Sequence, residues 1–589
     1  MILHVRKPSD AFRESARHRH FAHAKLEYTG SGETMSRSVT IVPNAERWGS
    51  RDLGRFALQL EGMRASAETR EGRSAMEGPG TATPSRMENK GLKTGALGLV
   101  SVIVIGVAST APGYSLAASL GFVSDEVGLK APAILWLAFV PMAFIAAAYY
   151  FLNRADPDCG TTFTWVTRAM GPKSGWMGGW GIFVADLVIM PSLAQISAIY
   201  LFLLFGADGL ADSTLWTTVV GIVFILVMTW ICYVGIELSA RSQVLLLSVE
   251  LGVLVVFAAV ALFRVYAGDF PDSVRPSLSW LNPLGLPVGA LTAGVLISVF
   301  IYWGWDTAVT VNEETKDSTR TPGLAAVLST VILLVIYVIT AFAAQAVHGP
   351  AFLVDNADDV LSATGRDVLG GVFDKFLIIA VLTSAAASCQ TTILPSARTM
   401  LSMGAHKAAP KRFASIHPQH LTPGFSTWFF GIVACVWYLV LVFAGGDVLA
   451  DSIVGVGLMI AFYYGITGYA CVAYYWSYLF KSLKNFVFVG LFPLIGAVAL
   501  TWVFVKSLID LVDPANSESG ASWFGLGPPF VIGGVLLLLG IPLMFLWKAG
   551  HSEFFRLKRD PAHVKPPPGG GDPAPPLLGI RVEEPADER

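Results

Sequence analysis

Long apolar runs that recur along most of the chain constrain its fold more than any other feature. Each run has about 20 residues and, as a helix, crosses a hydrocarbon layer about 30 Å thick. A helix satisfies its own backbone hydrogen bonds, as lipid requires, whereas a barrel would show alternating segments of about ten residues. We therefore predict an all-α polytopic membrane protein with about twelve transmembrane helices. They lie at about residues 95–121, 131–152, 176–205, 214–235, 242–266, 288–311, 323–347, 370–397, 426–444, 450–478, 486–508 and 529–548.

The charged residues crowd into the two ends of the chain. They make up 14% of its 589 residues, against about 25% in a soluble domain. Residues 1–90 are polar and Arg-rich, without a signal-peptide pattern, and residues 551–589 contain a Pro/Gly-rich stretch. We expect both segments to be disordered. The helical domain then occupies residues 91–550.

Basic residues in the loops predict the orientation. If the N-terminus is cytoplasmic, the inner loops contain more Lys and Arg than the outer loops, and they include Arg154, Arg168 and Arg241. Several outer loops are acidic instead. This bias predicts a multi-pass protein of the cytoplasmic membrane with both termini in the cytoplasm.

Several functional classes lack their sequence signatures. The net charge of −2 gives no sign of nucleic-acid binding. The five cysteines do not have metal-ligand spacing, so we expect neither a metal site nor a cofactor. The chain has no Walker A motif for ATP-driven pumping and no HExxH or GxSxG motif at membrane depth. We therefore expect no catalytic residues and no enzymatic activity.

Two of the predicted helices contain residues that interrupt helical hydrogen bonding. In the first, Pro112 has no N–H to donate and Gly113 tolerates non-helical dihedral angles. In the sixth, Gly304 and the ionisable Asp306 interrupt an apolar run. A packing kink explains either interruption alone. The matched pair instead predicts a substrate site between two inverted five-helix repeats, at about 95–266 and 288–478, with extra helices at about 486–548.

Five sequence blocks, in order, resemble the amino acid–polyamine–organocation (APC) transporter superfamily, in its bacterial amino acid permease branch. The resemblance covers about residues 91–480. Its blocks are GVASTAPGYSLAASLG (106–121), DPDCGTTFTWVTRAMGPKSGWMGGW (156–180), YWGWDTAVTVNEETKDSTRTPG (302–323), TSAAASCQTTILPSARTMLSMG (383–404) and FASIHPQHLTPGFST (413–427).

The resemblance implies a leucine-transporter-type fold with discontinuous helices 1 and 6 and alternating access to a mid-membrane site. It implies secondary active transport of an amino acid, coupled to a proton or, as an alternative, to sodium, by symport or exchange. The substrate carboxylate would bind N–H groups of helix 1, and its amine would bind carbonyls of helix 6. Pro112 removes one donor, which leaves open which N–H groups bind the carboxylate. The implied substrate-binding residues are Ser109, Thr110, Ala111, Gly113, Tyr302, Trp303, Gly304, Trp305 and Asp306.

Four residues of the sixth helix have alternative interpretations. Tyr302, Trp303 and Trp305 would cover the substrate or stack on its amine, or else they pack in the core. Asp306 is costly to bury, so we expect it to face a cavity or a partner. It would cap the broken helix, bind the amine, or accept hydrogen bonds from nearby backbone amides.

Glu250 is an isolated carboxylate near the middle of the fifth helix, within LLLSVELGVLVVF (245–257). Some members of the superfamily place a proton-sensitive lysine near this position, and we hypothesise that Glu250 couples transport to protons instead. Ser384 and Ser388, four residues apart, share one face of the eighth helix. They would line the same coupling-ion region, although helical serines are often packing residues.

Three further acidic residues have structural interpretations. We expect Asp186 in the third helix to join an internal hydrogen-bond network rather than to contact substrate. Glu313 and Glu314 follow the sixth helix. We expect them to form a cytoplasmic latch, that is, ion pairs with Arg154, Arg168 or other inner-loop bases that form and break as the protein closes and opens. The alternative for this pair is a solvated charge cluster.

Two other functions stay open. A transporter of polyamines or other organic cations would favour several carboxylates in the pocket, and Asp186, Glu250 and Asp306 are the candidates. A transporter-like substrate sensor would need a folded signalling domain, whereas both ends of the chain look unstructured.

The polar N-terminal segment generates a prediction about translation. We hypothesise that translation starts at Met87, directly before the first predicted helix. N-terminal sequencing of the native protein tests this, and a protein that begins at Met1 would contradict it.

Overall fold

The computed structural model describes residues 22–30, 33–41 and 90–557, with gaps at 358–359, 371–374, 446–447 and 518. The chain divides into two units, Met1–Thr83 and Pro84–Arg589. In the first unit, strands β1 (Ala22–Gly30) and β2 (Glu33–Ile41) form an antiparallel hairpin, with Ala22 opposite Ile41. The hairpin lies within the range predicted to be disordered, and the rest of that range up to residue 89 lies outside the described residues.

The second unit is helical. Its principal helices are α1 (Leu99–Ser109), α2 (Pro112–Ala117), α3 (Leu120–Val127), α4 (Ala131–Ala155), α5 (Thr162–Met170), α6 (Pro172–Leu204), α7 (Thr214–Val234), α8 (Ile236–Ala267), α9 (Val288–Phe300), α10 (Thr321–Asp355), α11 (Val360–Leu369), α12 (Lys375–Ala405), α13 (Gly424–Ala444), α14 (Val448–Tyr474), α15 (Phe492–Asp510) and α16 (Leu536–Gly550). Short α-helical turns lie at Asp208–Ala211, Thr307–Thr310, Leu483–Asn485 and Pro528–Phe530, and two π-helical segments, Phe486–Leu491 and Val531–Val535, precede α15 and α16.

Eleven helices among the described residues are long and apolar enough to cross a membrane. The prediction of about twelve differs at the sixth position, because α9 has only 13 residues before the chain leaves the helical conformation. The other predicted spans each correspond to one of the eleven. The chain is therefore a multi-pass membrane protein.

The interruption predicted in the first helix is present. Helix α1 ends at Ser109, and Ala111 adopts a left-handed conformation with φ of 46° before α2 begins at Pro112. An alanine in this conformation is strained, because its Cβ approaches the following carbonyl. Proline suits the first position of a helix, where its missing N–H has no intrahelical partner.

The interruption predicted in the sixth helix is also present. Helix α9 ends at Phe300, and a short helical turn resumes at Thr307–Thr310. Gly304, between them, has a φ of 114°, which only glycine adopts without strain.

The broken first helix lies at the centre of the bundle. The most apolar windows of Leu99–Ala117 and Lys375–Ala405 are 72% and 78% buried, against 33% for Gly424–Ala444 and Pro528–Gly550. Helix α12 packs on α6 and α8 and also contacts α1 and α2. The last helices pack at the periphery, and α15 contacts α14 and α4.

Part of the predicted C-terminal tail is described. Residues 551–557 include a 3-10 turn at Phe554–Arg556, in which Phe554 is buried and stacks on Phe163. The remainder, from residue 558, lies outside the described residues.

Candidate functional site

The interruptions in the first and sixth helices lie against each other. A Cβ atom added to Gly304 would lie 2.5 Å from the carbonyl oxygen of Ser109. The hydroxyls of Ser109 and Thr307 are hydrogen-bonded at 2.9 Å. The non-helical segments therefore share one interior region, as the sequence predicts.

A small cavity of about 10 Å³, room for about one water molecule, lies beside this junction. The hydroxyl-bearing residues along it are Ser109, Thr110, Tyr114, Ser115 and Ser388. The apolar residues along it are Ala111, Ile189, Leu193, Phe300 and Trp303. It thus lies among α1, α2, α6, α12 and the end of α9, and hydroxyls and hydrocarbon line it.

Of the three aromatic residues predicted around the sixth-helix break, Trp303 lines the cavity. Its indole N–H donates to the hydroxyl of Tyr463 on α14, which fixes the ring. Tyr302 packs instead against Tyr337, and Trp305 packs between Tyr149 and Tyr464. In this structure Tyr302 and Trp305 thus pack in the core, the alternative considered for them, and their role in substrate binding stays a prediction.

Asp306 is buried and is not among the residues that line the cavity. Its two carboxylate oxygens accept hydrogen bonds from Tyr464, at 2.7 Å, and from Tyr463, at 3.2 Å. Its side chain does not cap the following turn. Tyrosine hydroxyls are thus the side-chain partners of both oxygens, and Gly304 donates its N–H to the same Tyr464. Binding of a substrate amine by Asp306 stays a prediction.

The predicted coupling residues meet at the break in the first helix. Glu250 on α8 accepts the Gly113 N–H at 2.7 Å, and Ser384 on α12 accepts the Tyr114 N–H at 3.2 Å. Ser388 donates to the Ser109 carbonyl at 2.9 Å. All three side chains are buried, and they satisfy backbone groups that the break leaves without helical partners.

Asp186 belongs to an internal hydrogen-bond network, as expected. Its carboxylate accepts from the hydroxyl of Ser396 on α12 at 2.7 Å, and it does not line the cavity. Asp186, Glu250 and Asp306 are thus each bound to a group of the protein itself.

Glu313 and Glu314 both form ion pairs, but with different bases from the two named in the sequence analysis. Glu313 pairs with Lys90, which also binds Asp158 at 2.9 Å, and Glu314 pairs with Arg398 at 2.6 Å. Arg168 pairs with Asp156 instead, and Arg154 donates to the hydroxyl of Tyr150. These pairs link the chain before α1, the α4–α5 loop, the exit of the sixth helix and α12.

Charge balance within this network favours the ionised forms of Lys90 and Asp158. Burial alone lowers the pKa of Lys90, but Asp158 and its other neighbours outweigh this effect and hold the pKa well above the usual value for lysine. Burial alone raises the pKa of Asp158, but Lys90, His406 and the hydrogen bond from the Gly160 N–H together outweigh it and hold that pKa well below its usual range. The pair therefore stays charged throughout the neutral pH range.

The same network includes three groups of the kinds that bind metals. One ligand atom each from Asp158, Cys159 and Glu313 lies within 4.8 Å of the others. The ammonium group of Lys90 already bridges the two carboxylates. A lysine thus supplies the positive charge that a metal ion would bring.

The residues that complete the cavity and hold its walls were not predicted from the sequence. Ile189, Leu193 and Phe300 are ordinary apolar residues of predicted helices, and their sequence carries no sign of a cavity. Tyr463 and Tyr464 give a weak sign, because adjacent tyrosines inside an apolar helix need partners for their hydroxyls.

Comparisons with known proteins agree on one family. A family model described as amino acid permease matches residues 97–536. The low-affinity putrescine importer PlaP of Escherichia coli (strain K12) is 23% identical over 435 residues, which are 73% of this chain and 91% of that protein. The branched-chain amino acid permease BcaP of Bacillus subtilis (strain 168) is 22% identical over 357 residues, 58% of this chain and 73% of the relative. The human Asc-type amino acid transporter 1 is 22% identical over 426 residues, 70% and 75% of the two chains.

The contact between the two breaks predicts the effect of a methyl group at Gly304. In Gly304→Ala the new Cβ would overlap the Ser109 carbonyl, and φ of 114° would be strained. We expect a loss of roughly 1 to 3 kcal/mol in the free energy of unfolding, measured as a lower melting temperature of the detergent-purified protein. The control is Gly252→Ala on α8, where an added Cβ has no neighbour within 4 Å. Equal melting temperatures for the two variants would contradict the close approach.

Proposed function

The chain belongs to the amino acid permease family, and we propose that it carries a neutral amino acid across the cytoplasmic membrane by alternating access. The observation that supports this most directly is the cavity at the meeting point of the two helix breaks. Its lining combines hydroxyls with apolar side chains and, among the described residues, includes no ionisable side chain except the phenol of Tyr114.

This lining suits a small zwitterion with an uncharged side chain. The substrate ammonium would contact hydroxyl oxygens and the face of Trp303, an arrangement worth about 2 kcal/mol in a desolvated site. The substrate side chain would lie against Ile189, Leu193 and Phe300, which come from α6 and α9. Among the predicted binding residues, Ser109, Thr110, Ala111 and Trp303 line the cavity, which supports a direct contact of these residues with the substrate.

An organic cation is the second candidate substrate, because one relative, PlaP, is a putrescine importer. A diamine without carboxylates brings two positive charges, and buried charges need partners of opposite sign. Asp186, Glu250 and Asp306 each hold an internal partner, and none of them lines the cavity. This arrangement favours the amino acid.

Alternating access would follow from two inverted repeats, residues 95–266 and 288–478, each opened by a broken helix. We place both termini in the cytoplasm because of the basic inner loops. The carrier would work as a proton symporter or an exchanger, with Glu250 as the protonatable group.

The network around Lys90 would act as a latch on the cytoplasmic side. Lys90 and Asp158 are almost completely buried, with side-chain exposures of 5% and 0%. The chain on either side of the latch is also tied together, because the Leu97 N–H donates to the Glu314 carbonyl. Opening toward the cytoplasm would have to separate these ion pairs.

An uptake assay tests the substrate. The purified full-length protein, reconstituted in liposomes, should accumulate labelled neutral amino acids in preference to putrescine, with imposed pH and sodium gradients to identify the coupling ion. Trp303→Ala should weaken apparent affinity roughly thirtyfold, which corresponds to about 2 kcal/mol. The control Trp230→Ala lies on the exposed face of α7 and should behave as wild type. Uptake of putrescine but of no amino acid would overturn the proposal.

Chemical labelling tests the latch. The Cys159 thiol is fully buried beside Lys90, and burial, together with Glu313, raises its pKa, so it reacts slowly while the latch is closed. Lys90→Ala leaves two carboxylates unpaired and should expose Cys159, measured as faster modification by a maleimide. Lys93→Ala removes an ion pair whose side chains are 44% and 45% exposed and should change little. Unchanged labelling in Lys90→Ala would refute the latch.

A further inference from the structure

The first turn of α2 has no amide available for a substrate carboxylate. Pro112 has no N–H, the Gly113 N–H is bound to Glu250, and the Tyr114 N–H is bound to Ser384. The next amide, of Ser115, donates to the Ala111 carbonyl. A carboxylate that arrives at this break therefore meets donors that side chains of the protein already occupy.

The buried carboxylate of Glu250 accepts the Gly113 N–H with one of its two oxygens. Its side chain is 0% exposed, and its second oxygen, Oε2, has no hydrogen-bond partner. The Ser384 hydroxyl is the other polar group beside the carboxylate. An unpartnered buried oxygen on a carboxylate is a place where a proton can bind without displacing anything.

The helices around α8 bring no basic side chain to Glu250. Helices α1, α2, α7, α10, α11 and α12 pack against α8. Tyr337 on α10 is a titratable neighbour on which the Glu250 charge acts, and its hydroxyl donates to the Ile301 carbonyl. Tyr114 on α2 directs its phenol to Ser192. Titratable residues elsewhere on these helices, such as Cys232, Arg366 and Cys389, form no ion pair or hydrogen bond with Glu250 among the described residues.

We propose that Glu250 occupies the place of the substrate carboxylate in the empty carrier and gives it up by taking a proton. In the exchange a proton from water binds to Glu250, the hydrogen bond from the Gly113 N–H to Oε1 breaks, and an oxygen of the substrate carboxylate accepts that N–H. Two carboxylates cannot both stay ionised at one buried amide, because their like charges repel. One proton therefore enters with each carboxylate. This mechanism rests on the proposed amino acid substrate and explains how a proton would be coupled to it.

The competition predicts a difference between an amino acid and the same molecule without its carboxylate. An amine has no group to compete for the Gly113 N–H, so it would not require protonation of Glu250. The amino acid would require it. Matched pairs for the comparison are L-alanine with ethylamine, L-leucine with isopentylamine and L-phenylalanine with phenethylamine.

Binding to the purified full-length protein, followed by tryptophan fluorescence from acidic to alkaline buffers, tests this prediction. For wild type, the dissociation constant of the amino acid should rise about tenfold per pH unit above the pH at which Glu250 ionises, as one linked proton requires. The amine should not show this slope. Glu250→Gln keeps an oxygen for the Gly113 N–H but carries no charge, so it should bind the amino acid without the slope. The control Asp186→Asn removes another buried carboxylate and should retain the slope.

A second measurement covers the case in which Glu250→Gln does not fold. Infrared difference spectra of wild type should show a protonated carboxyl band when the amino acid is added, and no such band with the amine. Asp186→Asn should still give the band. Amino acid binding without a pH slope or a carboxyl band would overturn the competition and leave the proposed substrate intact. Binding of the amines but of no amino acid would overturn both.

Discussion

The rest of the structure depends on one constraint: a helix that breaks inside a membrane must have its exposed N–H and C=O groups satisfied by the protein. The break in the first helix meets it with side chains from two other helices. Glu250 from α8 and Ser384 from α12 accept the Gly113 and Tyr114 amides, and Ser388 donates to the Ser109 carbonyl. The break in the sixth helix meets it with tyrosines, since Tyr337 donates to the Ile301 carbonyl and Tyr464 accepts the Gly304 N–H. Helices α8, α10, α12 and α14 are therefore held around the two breaks by polar contacts as well as by apolar packing.

The use of polar side chains as partners for the interrupted backbone explains which groups are left to line the cavity. The carboxylates of this region already have partners within the protein. Glu250 accepts the Gly113 N–H, and Asp306 accepts hydrogen bonds from the hydroxyls of Tyr463 and Tyr464. What remains toward the cavity are hydroxyls and hydrocarbon, including Ser109, Thr110 and Trp303. A site of this kind can orient a small polar molecule through neutral groups, but it has no fixed charge to neutralise a second cation. For this reason the proposed substrate is a zwitterion without net charge.

The sequence predicted the features that follow from local chemistry. Apolar run lengths located the spans, and Pro112 and Gly304 located both breaks, because proline and glycine have steric properties that act within their own turn. The roles of Trp303 and Trp305 could not be separated in this way. They are two residues apart, yet one lines the cavity and the other packs on Tyr149, since the non-helical backbone at Gly304 removes the periodicity from which a face is inferred. Lys90 as the partner of Glu313 was missed because their contact spans more than two hundred residues of chain, a long-range pairing that composition near Lys90 does not indicate.

The ion-pair network around Lys90 and the isolated carboxylate of Glu250 differ in the charge they carry. This difference suits them to different tasks. Lys90 lies between Asp158 and Glu313, so opposite charges neutralise one another, and Lys90 and Asp158 stay ionised across neutral pH. Glu250 has no basic partner among the described residues and depends on one amide and one hydroxyl. A network of paired charges resists protonation. It therefore suits a contact that is broken by a conformational change. A single carboxylate against a backbone amide suits a contact that breaks by taking up a proton, because the neutral acid no longer requires the amide to stabilise a charge. In the proposed mechanism, the charged network at the helix ends controls access to the cavity, and Glu250 at the break in the first helix responds to the substrate.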